Sequence, residues 1–376
     1  MQSSSLSKRI SEGNLRALQV LPSDLIDFTS NDYLGLARSE ELHKLIALQK
    51  ITDVRRVNGS TGSRLLSGNS TEAEALETFI AEYHQADCGL LFNSGYDANL
   101  GLFSCIAGRG DTILYDEMIH ASVIDGLRLS HAHTYKFRHN DLKHLEQLLT
   151  KAVGQLYVAV ESLYSMDGDF SPLSELTELC RVYKAGLIVD EAHATGLYGN
   201  SNRGEGRVSE LGLQKSVFAR LHTFGKALGC HGAIVLGSSS LRDHLVNFSR
   251  PFIFSTALPL YSLQAIRCAY EMLERHPLAK SELHSRIQYF NQKVTQAITI
   301  SKNPGPIQHL LVSGNKRVKA LALGLQASGY DARPITSPTV PQGKERIRIC
   351  IHSFNTSEQI DGLMKAIDNV LDAPDK

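Results

Sequence analysis

Two short apolar runs with a helical segment between them constrain this chain more than any other feature. "LYVAVE" (156–161) and "GLIVDEAH" (186–193) are rich in apolar and β-branched residues and end in polar ones, and "PLSELTELCRVYK" between them reads as a helix. Strand, helix and strand in that order make a crossover unit, and its two strands run parallel. Parallel sheets carry helices on both faces, so their strands are apolar on both sides. "TILYDE", "GAIVLG" and the helical segments around them continue the alternation. The chain therefore reads as an α/β protein built on a mostly parallel central sheet.

With 376 residues the chain exceeds one small core. The first forty residues (1–40) read as a separate arm and 41–260 as the large α/β domain. From 261 to 376 the pattern changes. "ERIRICIH" alternates apolar and polar residues, as a strand with one covered face does. "TSEQIDGLMKAIDNVL" puts Ile360, Leu363, Met364, Ile367, Val370 and Leu371 on one helical stripe. This tail reads as a smaller α+β domain. Within the large domain, "TEAEALETFIAEYH" opens with a capping box from Thr71 to Glu74 and continues with helical spacing.

Several functions are disfavoured at once. Lys+Arg and Asp+Glu balance at 39 each, so no overall field favours nucleic acid or an anionic membrane surface. None of the six cysteines forms a C-x-x-C pair, which removes zinc ribbons and thioredoxin motifs and leaves reduced, mostly buried thiols. "MQSSSLSKRISEGN" has no apolar core of a signal peptide, and no apolar run reaches the about 18 residues of a membrane span. A cytoplasmic location is the expectation. There is no G-x-S-x-G elbow, no P-loop and no dinucleotide fingerprint.

In open α/β sheets ligands bind beyond the carboxyl ends of the strands. At those ends lie Asp190 and His193 in "VDEAH", Glu161, Ser165 and Asp167 in "VESLYSMDGD", and Asp116 and His120 in "YDEMIHAS". "NSGYDAN" adds a turn, Asn93 to Tyr96, whose Gly95 lets backbone N–H groups approach an anion before a helix begins. Singly, each has a plain explanation: a polar surface residue, a helix cap, or a solvated charge at Lys226. A metal at Asp190 and His193 lacks a third nearby ligand. As a set, a lysine, a strand-end carboxylate, a histidine and an anion-binding turn are what pyridoxal 5'-phosphate requires. The lysine would hold the aldehyde as a Schiff base, and the carboxylate would keep the ring nitrogen protonated.

The chain also resembles a known family, the α-oxoamine synthases of the fold-type I pyridoxal phosphate enzymes. The likeness runs through "FTSNDYLGL" (28–36), "NGSTGSRLLSGN" (58–69), "FNSGYDAN" (92–99), "DEMIHAS" (116–122), "SLYSMDGD" (162–169), "VDEAHATGLYG" (189–199), "TFGKALG" (223–229), "FIFSTALP" (252–259) and "TVPQGKERIRI" (339–349). It implies a large, mostly parallel α/β domain, a smaller C-terminal α+β domain, and an N-terminal arm. It makes Lys226 the Schiff-base lysine, Asp190 the partner of the pyridinium, and His193 a donor to the ring oxygen. His120 would stack on the ring and Ser165 would lie by the ring oxygen. Ser94, Gly95, Tyr96 and Thr223 match phosphate and ring contacts. Ser255 or Thr256 would complete the phosphate site of the other subunit, so a homodimer with shared active sites is implied. Asn31 and Arg348 match a substrate carboxylate clamp, Thr339 a further substrate contact, and Arg16 an N-terminal substrate arginine. The subgroup that "GSTGSRLLSGN" and "RIRICIHSFNT" resemble most condenses L-alanine with a pimeloyl thioester. Sister enzymes take glycine with acetyl-CoA or serine with a long acyl chain.

Overall fold

The computed structural model describes residues 2–20, 22–51, 58–200, 203–294 and 300–372. The chain divides into two compact units. The larger comprises Gly35–Ser165 and Phe170–Pro277. The smaller comprises Met1–Leu34, Met166–Asp169 and Leu278–Lys376.

The larger unit is built on a seven-stranded sheet. In spatial order its strands are Cys88–Phe92, Ala233–Gly237, Ala219–Thr223, Gly186–Asp190, Leu156–Glu161, Thr112–Asp116 and His133–Phe137. All neighbours pair parallel except Ala233–Gly237, which runs antiparallel to both strands beside it. "GAIVLG" therefore extends the sheet against the prevailing direction, and the sheet is mixed.

Alternate side chains along each strand enter different cores, one on each face. Tyr157, Ala159, Ile188 and Leu221 pack in one cluster with Leu102 and Val123. Val158, Val160, Leu187 and Val189 pack in the other with Leu173 and Leu176. This two-sided burial explains why the runs are apolar at every position. On the first face the helices Gly95–Cys105 and Ala121–Leu129 lie close together. A Cβ added at Gly126 would sit 2.8 Å from Phe103 Cβ and 3.1 Å from the Asn99 carbonyl, so only glycine permits the approach.

The helix Thr71–Tyr83 begins one residue earlier than the capping box implies. Ser70 is the N-cap, its Oγ accepting from the Ala73 N–H at 3.1 Å. The third helical position is then Ala73, which has no carboxylate to bond back, so the reciprocal box does not form.

The smaller unit has an antiparallel sheet ordered Arg333–Ile335, Arg346–Cys350, Ile307–Leu311. The N-terminal residues are stitched into this unit: Ile26–Asp27 pairs parallel with Tyr330–Asp331. The first thirty-four residues thus count with the C-terminal ones rather than as a free-standing arm, and the helix Leu260–Arg275 counts with the larger unit. "ERIRICIH" is covered more fully than its alternation implies. Ile347 and Ile349 are buried, and so is Arg346, whose Nη1 donates to Asp167 Oδ1 at 2.8 Å. In the helix Ser357–Asp372 the expected stripe is buried through Ile367, but Leu371 in the last turn is exposed.

Within "SMDGD", residues 166–169 belong to the smaller unit. Gly168 has φ +74°, and a Cβ there would fall 2.1 Å from the Ile307 carbonyl oxygen. Part of that motif is therefore explained by backbone packing.

Candidate cofactor site

Four strands of the larger sheet end side by side at Asp116, Glu161, Asp190 and Thr223. Beyond this edge lies a cavity of about 150 Å³, lined by Gly95, Tyr96, Asn99, His120, Glu161, Asp190, Ala192, His193, Leu221, Thr223 and Lys226. Seven of the residues singled out for a cofactor, Gly95, Tyr96, His120, Asp190, His193, Thr223 and Lys226, thus meet in one place. They come from parts of the chain up to about 130 residues apart.

Asp190 is buried at the end of its strand. Its Oδ1 accepts from the Ala192 N–H at 2.9 Å, and its Oδ2 from Asn99 Nδ2 at 2.8 Å. Asn99 Nδ2 also donates to Ser122 Oγ at 3.0 Å, and Ser122 Oγ stands 2.7 Å from His120 Nδ1. One polar chain therefore orients the carboxylate and the imidazole together. His120 is the N-cap of Ala121–Leu129, its Nδ1 accepting from the Ser122 N–H at 3.2 Å. Although part of this residue meets solvent, the protein around the ring pulls its pKa below the ordinary histidine value. Asp190 opposes that shift and Lys226 adds to it.

Gly95 opens the helix Gly95–Cys105. Ser94, the N-cap, accepts from the Asp97 N–H at 3.0 Å, so its hydroxyl serves the helix. The N–H groups of Gly95 and Tyr96 belong to the first turn, where no helical carbonyl can reach them, and both residues line the cavity. With the hydroxyl of Thr223 they form a site suited to a phosphate. Tyr96 leans on the same region, its ring edge-on to His120 at 6.5 Å and its hydroxyl bonded to the Asp125 carboxylate.

Lys226 lies in the turn after Thr223. The Gly229 N–H donates to the Lys226 carbonyl at 2.9 Å. Gly229 has φ +64°, and a Cβ there would meet the Ala37 nitrogen at 2.3 Å. The last glycine of "TFGKALG" thus holds the turn that carries the lysine.

Other predicted residues lie elsewhere. Ser165 is buried, and its N–H donates to Glu161 Oε2 at 3.0 Å. The Thr256 carbonyl accepts from Asn93 Nδ2 at 2.9 Å; Thr256 is exposed and Ser255 half-buried. The substrate candidates fall in the smaller unit as two pairs. Arg348 Nη2 donates to Asn31 Oδ1 at 3.0 Å, and Arg16 Nη2 to Thr339 Oγ1 at 3.0 Å.

Two polar lining residues were given no cofactor role in the sequence reading, although Glu161 was noted at its strand end. Asn99 is four positions after Gly95 in the same helix, so helical spacing alone puts it on the same side. Glu161 is the Cα partner of Asp190 across the parallel ladder. Its signal is that both apolar runs end in a carboxylate.

The residues fit pyridoxal phosphate by their chemistry. An amine stands with a fixed carboxylate, an imidazole and an anion-binding helix start, and Glu161 Oε1 is buried without a partner, as an atom awaiting a ligand would be.

The chain is similar over nearly its whole length to known proteins. A model of the "Aminotransferase class I and II" family matches residues 23–367. An 8-amino-7-oxononanoate synthase of Emericella nidulans is 43% identical, the match covering 96% of this chain and 93% of that protein. A putative 8-amino-7-oxononanoate synthase of Geobacillus kaustophilus is 38% identical over 90% and 86%. Among solved structures, the 8-amino-7-oxononanoate synthase of Francisella tularensis superposes with a TM-score of 0.79 at 27% identity, covering 93% of this chain and 98% of that one. A serine palmitoyltransferase of S. paucimobilis gives a TM-score of 0.88 over 98% and 96%, and at 22% identity it speaks for the fold alone. The strand-end site and the near full-length match together place the chain in the class I and II aminotransferase family, among the α-oxoamine synthases, which are fold-type I enzymes dependent on pyridoxal phosphate.

Proposed function

We propose that this enzyme condenses L-alanine with a pimeloyl thioester, of CoA or a carrier protein, to give 8-amino-7-oxononanoate, carbon dioxide and the free thiol, a step of biotin synthesis. The observation that carries the chemistry is the cavity that gathers Lys226, Asp190, His120 and the start of the helix Gly95–Cys105. The choice of substrates rests on the relatives named 8-amino-7-oxononanoate synthase.

When bound, pyridoxal phosphate supplies an electron sink for the substrate Cα. Asp190, held by Asn99 and Ala192, keeps positive charge on the ring nitrogen. The Gly95 and Tyr96 N–H groups and Thr223 hold the phosphate, joined by Ser255 or Thr256 of a second copy in a homodimer. His120 covers the ring face. His193 and Ser165 serve the ring oxygen. Lys226 would be the residue that holds the cofactor, and its free amine would be placed to take the substrate Cα proton. Arg348 and Asn31 bind the amino-acid carboxylate, the guanidinium offering a two-pronged donor that lysine lacks. With that proton removed, Cα would gain a bond to the acyl carbon as the thiol leaves, and carbon dioxide would be lost before Cα regains a proton.

A cavity within the smaller unit supports an acyl chain with a charged end. It measures about 640 Å³ and combines apolar Ala322, Leu323, Pro334 and Ile335 with Arg16 and Lys319. Arg16 bonds the Thr339 hydroxyl and Lys319 the Leu15 carbonyl, and among the described residues neither cation has a carboxylate partner. That combination suits an aliphatic chain ending in a carboxylate or its ester. Among the described residues no helix is long and apolar enough to cross a membrane, in keeping with a proposed cytoplasmic enzyme.

The test is kcat/KM for pimeloyl, acetyl, succinyl and palmitoyl thioesters, each with alanine, glycine and serine, with the product mass identified. Pimeloyl with alanine should lead. If acetyl-CoA with glycine or palmitoyl-CoA with serine leads by about tenfold, about 1.4 kcal/mol, the substrate assignment fails while the cofactor chemistry stands.

A further inference from the structure

Glu161 and Asp190 are paired in register on adjacent parallel strands, and both line the cofactor cavity. Only 3% of Glu161 and 7% of Asp190 is exposed. Two carboxylates this close and this buried do not both ionise readily. Their hydrogen bonds say which keeps its proton. Asp190 accepts from donors at both oxygens, the pattern of an anion. Glu161 accepts at Oε2 alone, from the Ser165 N–H, while its Oε1 is buried and unpartnered. Buried polar atoms are nearly always satisfied, so an unsatisfied one in a binding cavity calls for a partner on the ligand.

We propose that Glu161 is a neutral acid of the cofactor pocket, keeping its proton on Oε1 and donating it in a hydrogen bond to an acceptor atom of bound pyridoxal phosphate. The electrostatics point the same way. Burial, then Asp190 and more weakly Asp116, push the Glu161 carboxyl up to about 8, against Lys226 and the Ser165 N–H, which pull it down. Tyr164 feels the charge of the same carboxyl, and His120 and His193 share the cavity. Glu161 is therefore protonated at neutral pH and ionises as pH rises through about 8. Ionisation would remove the donor and add a second negative charge beside Asp190.

The proposal rests on the pocket taking pyridoxal phosphate, and its test separates the two. Pyridoxal phosphate is titrated into apoprotein of wild type, Glu161→Gln and Glu161→Ala from pH 6.5 to 9.5, with the dissociation constant read from cofactor absorbance. The amide of Glu161→Gln is neutral and still donates. At pH 7 it should bind within threefold of wild type, and Glu161→Ala should bind at least tenfold more weakly. The ratio of wild-type to Glu161→Gln dissociation constants should rise above pH 8 by up to tenfold per pH unit, other titrations cancelling. A glutamine variant as weak as the alanine variant, or a ratio flat through pH 8, overturns the role of Glu161. Should Glu161→Ala fail to fold, the ratio alone decides. Failure of the wild type to bind overturns the cofactor reading itself.

Discussion

Replacing Asp190 with Asn should separate chemistry from folding. The carboxylate has two fixed donors, Ala192 N–H and Asn99 Nδ2. An asparagine at 190 can keep the first through its Oδ1. Its Nδ2 would meet Asn99 Nδ2, donor against donor, but Asn99 Oδ1 is unpartnered, so the Asn99 amide can turn over and accept. Ser122, now facing that amide oxygen, can donate where it formerly accepted. The variant should therefore unfold within about 1 kcal/mol of wild type, the range of one exchanged hydrogen bond. If Asp190 pairs with the ring nitrogen of the bound cofactor, as proposed, the variant loses a negative charge beside it. Two unit charges about 4 Å apart at an effective dielectric constant of about 20 attract by about 4 kcal/mol. That corresponds to about a 10³-fold fall in kcat/KM. The assays are steady-state kinetics, exchange of the substrate Cα hydrogen with solvent, and urea denaturation of the apoprotein. A variant that keeps Cα exchange within tenfold of wild type would refute the reasoning. So would a stability loss above about 3 kcal/mol, which would make Asp190 mainly structural.

Lys226→Ala should abolish turnover yet still retain cofactor without a covalent bond, and borohydride reduction of wild type followed by peptide mapping should label Lys226. A label on another lysine overturns the assignment. If Ser255 or Thr256 completes the site of a second copy, mixing inactive Lys226→Ala with an inactive Ser255/Thr256 double alanine variant should restore activity by forming one intact site per heterodimer. Absence of activity despite demonstrated subunit exchange would count against a shared site. Burial, first of all, and Arg220 hold both His84 and His222 well below the usual histidine value, so the folded chain keeps them neutral where the unfolded chain takes up protons. Their stabilising contribution is complete above pH about 6.5 and is lost as pH falls below it, by up to about 1.4 kcal/mol per histidine per pH unit. Glu191, raised to about 7, and Glu161 titrate in the opposite sense, so the informative quantity is a difference. The stability of His222→Gln relative to wild type should improve from pH 6.5 to 5.5 in urea denaturation, and a flat difference would contradict this account.

Local physics made much of this protein readable from its residues. Strands buried on both faces must be apolar at every position, so the runs ending at Glu161 and Asp190 announced a parallel sheet. Ligands gather at the carboxyl ends of such strands, so the polar residues there were the ones to inspect, and the cavity contains seven of the residues singled out for a cofactor. Other features depended on distant parts of the chain. Nothing local shows that Ala233–Gly237 runs antiparallel between two neighbours, because pairing direction is decided by where the chain returns. The N-terminal residues read as a free arm because the partner of Ile26–Asp27 lies about 300 residues away. "ERIRICIH" read as half-covered because a buried arginine resembles an exposed one until its carboxylate is found, and Asp167 lies far along the chain. The same holds for Glu161. The sequence determined that a carboxylate ends that strand, but only the tertiary structure placed it beside Asp190, out of water and with one oxygen unpaired, because proximity and burial set the proton's position.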